Sequence, residues 1–259
     1  MFNLSYDAAL SGLIIFVRIS AILFTLPIFG DEPTPIRVRV LLAIALSFIV
    51  YTLIMPKWLP ELPKTILGLA LVLVKEVTLG VMIGYIARLF FDGIVMAASL
   101  VGYQMGFGTA NLLIPDANMQ MNSFTALHRI LLMLIFLSLN LHHQYVSAIV
   151  DSFRLISAGA INFQGSLGEL FITTSAAVFT VAVQLSAPVL VALMFTMAAL
   201  GLVARSVPQM NIFTMSFPTS FFVGLIIYVG SLPYFPEMVK RFFLEAQSSM
   251  DQALSYMRP

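Results

Sequence analysis

The chain has 259 residues, of which 60% are apolar before glycine is counted; adding its 15 glycines gives about two thirds, against about half in soluble domains. Only 10% are charged, too few to cover a water-exposed globule of this size, and the apolar content excludes a disordered chain. With 13 Lys and Arg against 12 Asp and Glu there is no basic face for nucleic acid, and with no Cys there is no disulfide framework, thiolate chemistry or Cys-rich metal site.

Crossing about 30 Å of hydrocarbon takes about 20 apolar residues of helix, and six or seven stretches qualify. The first runs from about Ala8 to Phe29 with Arg18 near its centre. It is expected to be retained rather than cleaved, because no Lys or Arg precedes Arg18 as a signal peptide requires. The turn from Pro27 to Pro35 ends it, since its prolines cannot continue a helix. A second helix spans about Arg37 to Met55 and stops at Pro56; Trp58 in the next loop suits a membrane interface.

A third, about Lys64 to Phe91, carries Lys75, Glu76 and Arg88, which would be costly facing lipid and are expected to face protein or water. The charge-free stretch Gly93 to Pro115 is expected to break up at Gly106-Phe107-Gly108-Thr109-Ala110-Asn111, and the polar, Met-bearing loop Ile114 to Ser123 follows. One more helix is expected over Phe124 to Phe153, interrupted in polarity by Asn140, His142 and His143. A connector at Ser157 to Gly168 divides the protein into residues 1–165 and 166–259.

The second part reads as a helical hairpin. Residues 170–204 and 206–236 lack any charge, and the turn lies at Ala204 to Asn211. Both arms exceed one bilayer crossing, which implies tilt, kinks at Pro188 and Pro218, or extension beyond the hydrocarbon. The tail Glu237 to Pro259 is amphipathic, with Glu237/Arg241 and Arg241/Glu245 at i,i+4 spacing, and reads equally as an exposed helical end or a docking element.

Motifs for enzymatic chemistry do not occur. There is no Gly-x-Ser-x-Gly, P-loop or HExxH, and the string Gly106 to Asn111 lacks the last glycine of a dinucleotide site. Adjacent His142 and His143 diverge by about 100° on a helix and make a poor metal site. His128 reads as structural and Asp151/Arg154 as a local pair. No cofactor is expected.

Small-residue spacing is more informative. Gly80 and Gly84 form a GxxxG, and Ala98, Gly102 and Gly106 continue a ladder along which helix backbones approach closely, within this chain or between chains. Together with Arg18, Lys75, Glu76 and Arg88, which a monomer of this size could hardly cover, the ladder favours a subunit of a larger helical assembly. Met105, Phe107, Met119 and Met121 flank the Gly-rich break, and flexible thioethers there suit either core filling or a deformable pore seal.

The strings Phe16-Val17-Arg18-Ile19-Ser20 with Pro27 and Pro35-x-Arg37, and Glu76-x-x-x-Gly80-x-x-x-Gly84, run in family order ahead of two more. These are Gly102-x-Gln104-x-Gly106-Phe107 followed by Pro115-Asp116, and Pro188 with Gly201-Leu202-x-x-Arg205-x-x-Pro208-Gln209-x-Asn211-x-Phe213. Together they resemble the FliR family of flagellar biosynthetic proteins, the T-subunits of type III export gates, over nearly the whole chain.

The resemblance implies an all-α, non-enzymatic subunit. Its first part would be FliP-like and its second a FliQ-like hairpin, joining FliP and FliQ in a channel for unfolded flagellar substrates at the bacterial inner membrane and basal body. FlhB and FlhA are further implied partners, and much of the subunit would stand above the membrane plane. The family's central plug carries over to about Gly106 through Asn122, with Met105, Gly106, Phe107, Gly108, Asn111, Leu113, Ile114, Pro115, Met119 and Met121 as plug and gate residues. Arg18, Glu76, Arg88, Arg205, Gln209 and Asn211 are implied as intersubunit or structural polar groups. The equivalent subunit of a virulence secretion system is an alternative, and a small-solute transporter using Glu76 or Asp92 as a proton site is a lesser one.

Overall fold

The computed structural model describes residues 6–27, 34–54, 65–107, 123–162, 166–207, 209 and 211–258. Among them the regular structure is helical: α1 (Tyr6–Thr25), α2 (Ile36–Ile54), α3 (Ile66–Gln104), α4 (Ser123–Ser138), α5 (His142–Leu155), α6 (Ser166–Ser206), α7 (Ile212–Ser231), a 3-10 turn (Leu232–Tyr234) and α8 (Phe235–Met257). The all-α expectation holds. Four segments, Ile36–Ile54, Ile66–Gln104, Ser166–Ser206 and Thr214–Met257, join Ala8–Thr25 in being long and apolar enough to cross a membrane.

Several boundaries differ from those the sequence suggests. The expected separation near Asp92 and Gly93 does not occur, and α3 runs unbroken for 39 residues. Gly93 serves packing instead: a Cβ there would stand 3.1 Å from the Val178 carbonyl oxygen, so its missing side chain admits the backbone of α6. Conversely, the helix expected over Phe124 to Phe153 is two helices, α4 and α5, bent by 67°. Asn140 lies between them with φ +55°, a left-handed conformation that asparagine tolerates better than most side chains. The second hairpin arm ends at Ser231 rather than at residue 236, where the 3-10 turn Leu232–Tyr234, with Pro233 at its start, separates α7 from α8. Pro188 and Pro218 sit inside α6 and α7, which continue past them.

Two compact units form. One comprises residues 1–91, 140–175 and 243–259, the other residues 92–139 and 176–242, so each draws on chain from both sides of residue 165. In the first, α1 lies against the opening half of α3. A Cβ on Gly80 would stand 2.8 Å from the Arg18 carbonyl oxygen, and one on Gly84 would stand 2.7 Å from Thr25 Cβ and 2.9 Å from the Ile22 carbonyl oxygen. The GxxxG therefore packs on a helix of the same chain, answering the question its spacing leaves open.

The C-terminal helix is not an exposed end. Val239, Phe242, Phe243, Ala246, Met250, Ala253, Leu254 and Met257 are all buried, and they recur at the three- and four-residue spacing of one helical face. Full burial of a side chain such as Phe243 or Leu254 stabilises by about 1.5–3 kcal/mol. The Met257 carbonyl also accepts the Asn162 N–H at 3.1 Å.

Candidate functional site

Of the plug and gate residues, Met105, Gly106 and Phe107 are described; Gly108, Asn111, Leu113, Ile114, Pro115, Met119 and Met121 lie outside the described residues. α3 ends where Gly106 takes φ +94°, open to glycine without the Cβ penalty, and its N–H bonds the Tyr103 carbonyl at 3.0 Å. In the second unit, α7 meets this end through two reciprocal close approaches. A Cβ on Gly106 would stand 2.6 Å from the Phe217 ring, and one on Gly224 would stand 2.6 Å from Met105 Cγ. Each glycine thus leaves the space its neighbour's large side chain fills.

Aromatic rings tie the same end to α4. Phe107 stacks on Phe124 with centroids 5.8 Å apart and meets Phe221 edge-on at 5.7 Å, while Phe124 meets Tyr228 edge-on at 4.8 Å. Offset and edge-to-face pairs at these separations are the favoured arrangements of aromatic quadrupoles, worth about 0.5–1.5 kcal/mol each beyond area burial. Below them Ala98, Val101, Met105, Phe124, Val189 and Leu193 form a buried apolar core, and Gly102 is buried beside Val101. Met105 and Phe107 were expected here from their position beside the Gly-rich break. Phe217, Phe221, Gly224 and Tyr228 were not, because nothing local marks residues more than 90 positions away as their partners.

His128 belongs to this cluster. Its Nδ1 lies 2.9 Å from the Tyr228 hydroxyl and its ring meets Phe235 at 4.7 Å, consistent with the structural role expected of it. The cavity beside it, of about 30 Å³, has space for little more than a water molecule. Asp151 and Arg154 form the expected local pair, at 3.3 Å and exposed.

The polar groups of the first unit correct a different expectation. Arg18 and Glu76 are fully buried, yet the chain satisfies them itself. The Arg18 Nε and Nη2 donate to the two Glu76 oxygens, the second at 3.1 Å, and Nη1 donates to the Ser152 and Ile156 carbonyls at 2.9 and 3.1 Å. The guanidinium also lies 4.3 Å from the Phe153 ring centre. Glu76 accepts the Gly159 N–H at 2.9 Å, and the Gly159 carbonyl accepts from Lys75 at 3.0 Å. Gly159 holds φ +69°, and a Cβ there would stand 2.9 Å from Val72. The helix-embedded charges at positions 18, 75 and 76 thus find protein groups, as expected, but within this chain; they do not in themselves call for a neighbouring subunit.

Arg88 is half-buried, while Arg205, Gln209 and Asn211 are exposed at the turn between α6 and α7. Asn211 caps α7: its side-chain oxygen accepts the Thr214 N–H at 3.4 Å. Among the described residues no three His, Asp or Glu side chains stand together as a metal site.

Most of the apolar surface finds no cover within the chain. In the five segments fit to cross a membrane, only 11–39% of the most apolar window is buried. Ile66, Leu67, Leu71 and Val74 of α3, and Met194, Phe195 and Leu202 of α6, stand out to the surroundings. Exposed apolar area on this scale marks contact with lipid or with other proteins.

Residues 9–246 match the family model described as bacterial export proteins, family 1. Flagellar biosynthetic protein FliR of Bacillus subtilis strain 168 is 32% identical over 234 residues, covering 89% of each chain. FliR of Aquifex aeolicus is 31% identical over 229 residues, covering 88% of each. FliR of Escherichia coli K12 is 25% identical over 229 residues, covering 88% of this chain and 87% of that one. By sequence similarity over nearly nine tenths of its length, the chain belongs to the FliR family of bacterial export proteins.

Proposed function

We propose that this flagellar export component is a core, non-enzymatic subunit of the type III export gate in the bacterial inner membrane. It would join FliP and FliQ in the channel for unfolded flagellar subunits, in the basal body beside FlhB and FlhA. Its first 165 residues would be the FliP-like part and residues 166–259 the FliQ-like part. The observation that carries the reading is the apolar surface left open, with only 11–39% of each candidate crossing window buried, on a chain of an export family. That surface needs neighbours. Two helices also exceed any bilayer: at about 1.5 Å per residue α3 and α6 measure roughly 58 and 61 Å, against about 30 Å of hydrocarbon. Their surplus length supports placing much of the subunit above the membrane plane, against partner proteins.

In this reading the segment from Gly106 to Asn122 plugs the resting pore, and the neighbouring Met and Phe side chains complete the seal. Flagellar relatives favour the flagellar over the virulence apparatus. A small-solute carrier is disfavoured because Glu76, one of its two candidate proton sites, is bound to Arg18 and the Gly159 N–H. Two experiments test the proposal. The tagged protein should co-purify with FliP and FliQ, and a stable solitary protein would overturn the assignment. Deleting residues 108–120 should make the resting complex leak ions, and an unchanged conductance would sink the plug.

A further inference from the structure

We infer that the cavity beside His128 is a binding site for one ordered water molecule, held between His128 Nε2 and the Ser231 hydroxyl, which gives α4 a second hydrogen-bonded link to the end of α7. The inference is independent of the gate reading above. All the groups involved lie in the second unit. His128 is 4% exposed, and its two ring nitrogens are treated differently. Nδ1 lies 2.9 Å from the Tyr228 hydroxyl, whereas Nε2 is buried and meets no hydrogen-bond partner among the described residues. A buried polar atom gives up its hydration, and folded proteins almost always supply a partner in exchange, from the chain or from water.

The space for that partner is present. His128 lines a cavity of about 30 Å³, and one water needs only about 10–15 Å³. Room alone would not hold it, because apolar cavities stay dry and a water needs at least two polar partners. The side chains of Ala97, Ala98, Leu185 and Val189 on the cavity wall offer none, but Ser231 lines the same cavity. Its hydroxyl donates to the Tyr228 carbonyl at 2.7 Å, which leaves its oxygen lone pairs to accept. The bond directions run consistently through the site. A neutral imidazole carries its hydrogen on one nitrogen and accepts on the other. With the Tyr228 hydroxyl donating to Nδ1, Nε2–H donates to the water and the water donates on to Ser231 Oγ. Tyr228 and Ser231 are three residues apart, so the direct bond and the water bond both land on the final turn of α7. Lipid and apolar protein surfaces supply no water, so a helix end joined in this way carries its own.

The test is a density map of the purified assembly at a resolution that shows ordered water. One peak within about 3 Å of both Nε2 and Ser231 Oγ is expected. A featureless cavity around a well-resolved His128 overturns the site, and so does a peak that persists in His128→Leu, which removes the nitrogen. A second measurement needs no map. Ala97→Val extends the cavity wall by two carbons, which displaces the water and orphans Nε2, so the melting midpoint should fall by several degrees. In the His128→Leu background the same carbons fill a void, and the midpoint should rise. A rise with His128 in place means that the cavity is dry and overturns the proposal.

Discussion

Glu76→Gln keeps the shape of the side chain and removes its charge. In the folded chain that leaves the Arg18 guanidinium, at 0% exposure, facing two backbone carbonyls, an amide oxygen and the Phe153 ring in place of a carboxylate. Removing one member of a buried ion pair costs about 3–5 kcal/mol, against a total stability of about 5–15 kcal/mol for a typical domain. The ratio of folded to unfolded protein should fall by roughly two to nearly four powers of ten. The internal comparison is Asp151→Asn. It breaks a pair whose side chains are 43% and 70% exposed, which is worth about 0–1 kcal/mol. The assay is the fraction of purified complex that stays monodisperse after graded heating, with wild type and both variants side by side. Glu76→Gln should lose material at markedly lower temperature and Asp151→Asn should track wild type. If Glu76→Gln behaves as Asp151→Asn does, the argument that Glu76 neutralises Arg18 is wrong.

Two further substitutions follow from backbone geometry. Gly84→Ala would place its Cβ 2.7 Å from Thr25 Cβ and 2.9 Å from the Ile22 carbonyl oxygen, so it should destabilise by about 1–3 kcal/mol through overpacking. Gly12→Ala, with nothing within 4 Å of its Cβ, should be neutral or gain up to about 1 kcal/mol of helix propensity; equal thermal loss in the two would refute the α1–α3 contact. At the α4–α5 bend, Asn140→Leu should cost up to about 1 kcal/mol because leucine lacks the short polar side chain that lets asparagine hold φ +55°, whereas Asn140→Gly should be tolerated, both read from the melting midpoint.

The sequence made the local features legible and hid the distant ones. Apolar run length located the helices, since it depends only on neighbouring residues. The Gly80 and Gly84 spacing announced a close contact but could not say with what, because the partner, α1, lies some 60 residues away. Gly93 opened a new charge-free stretch in the sequence and proved a packing site within one long helix; Asn140 looked like a polar interruption and proved a bend. The difference lies in what each residue meets: Gly93 has Val178 of a distant helix beside it, while Asn140 turns the chain locally at φ +55°, its carbonyl accepting the His143 N–H. The charges misled for a related reason. Arg18 is neutralised by a residue 58 positions away and hydrogen-bonded by carbonyls 134 and 138 positions away, and no pattern in the sequence joins those points. At the end of α3 the sequence singled out Met105, Gly106 and Phe107, whereas the face of α7 packed on them emerged from the fold.

The discontinuous first unit bears on how the protein is made. Residues 1–91 leave the ribosome first, yet the same compact unit also contains residues 140–175 and 243–259. At about 5–20 residues per second the earliest helices wait on the order of ten seconds or more for residues 243–259. Arg18 can meet Glu76 within that time, but its two carbonyl partners come only with residues 152 and 156, and Met257 reaches Asn162 only after the whole second unit has been made. The first unit therefore cannot close by itself in chain order: the pieces that complete it, residues 140–175 and 243–259, are each made only after a stretch of the second unit, 92–139 and 176–242.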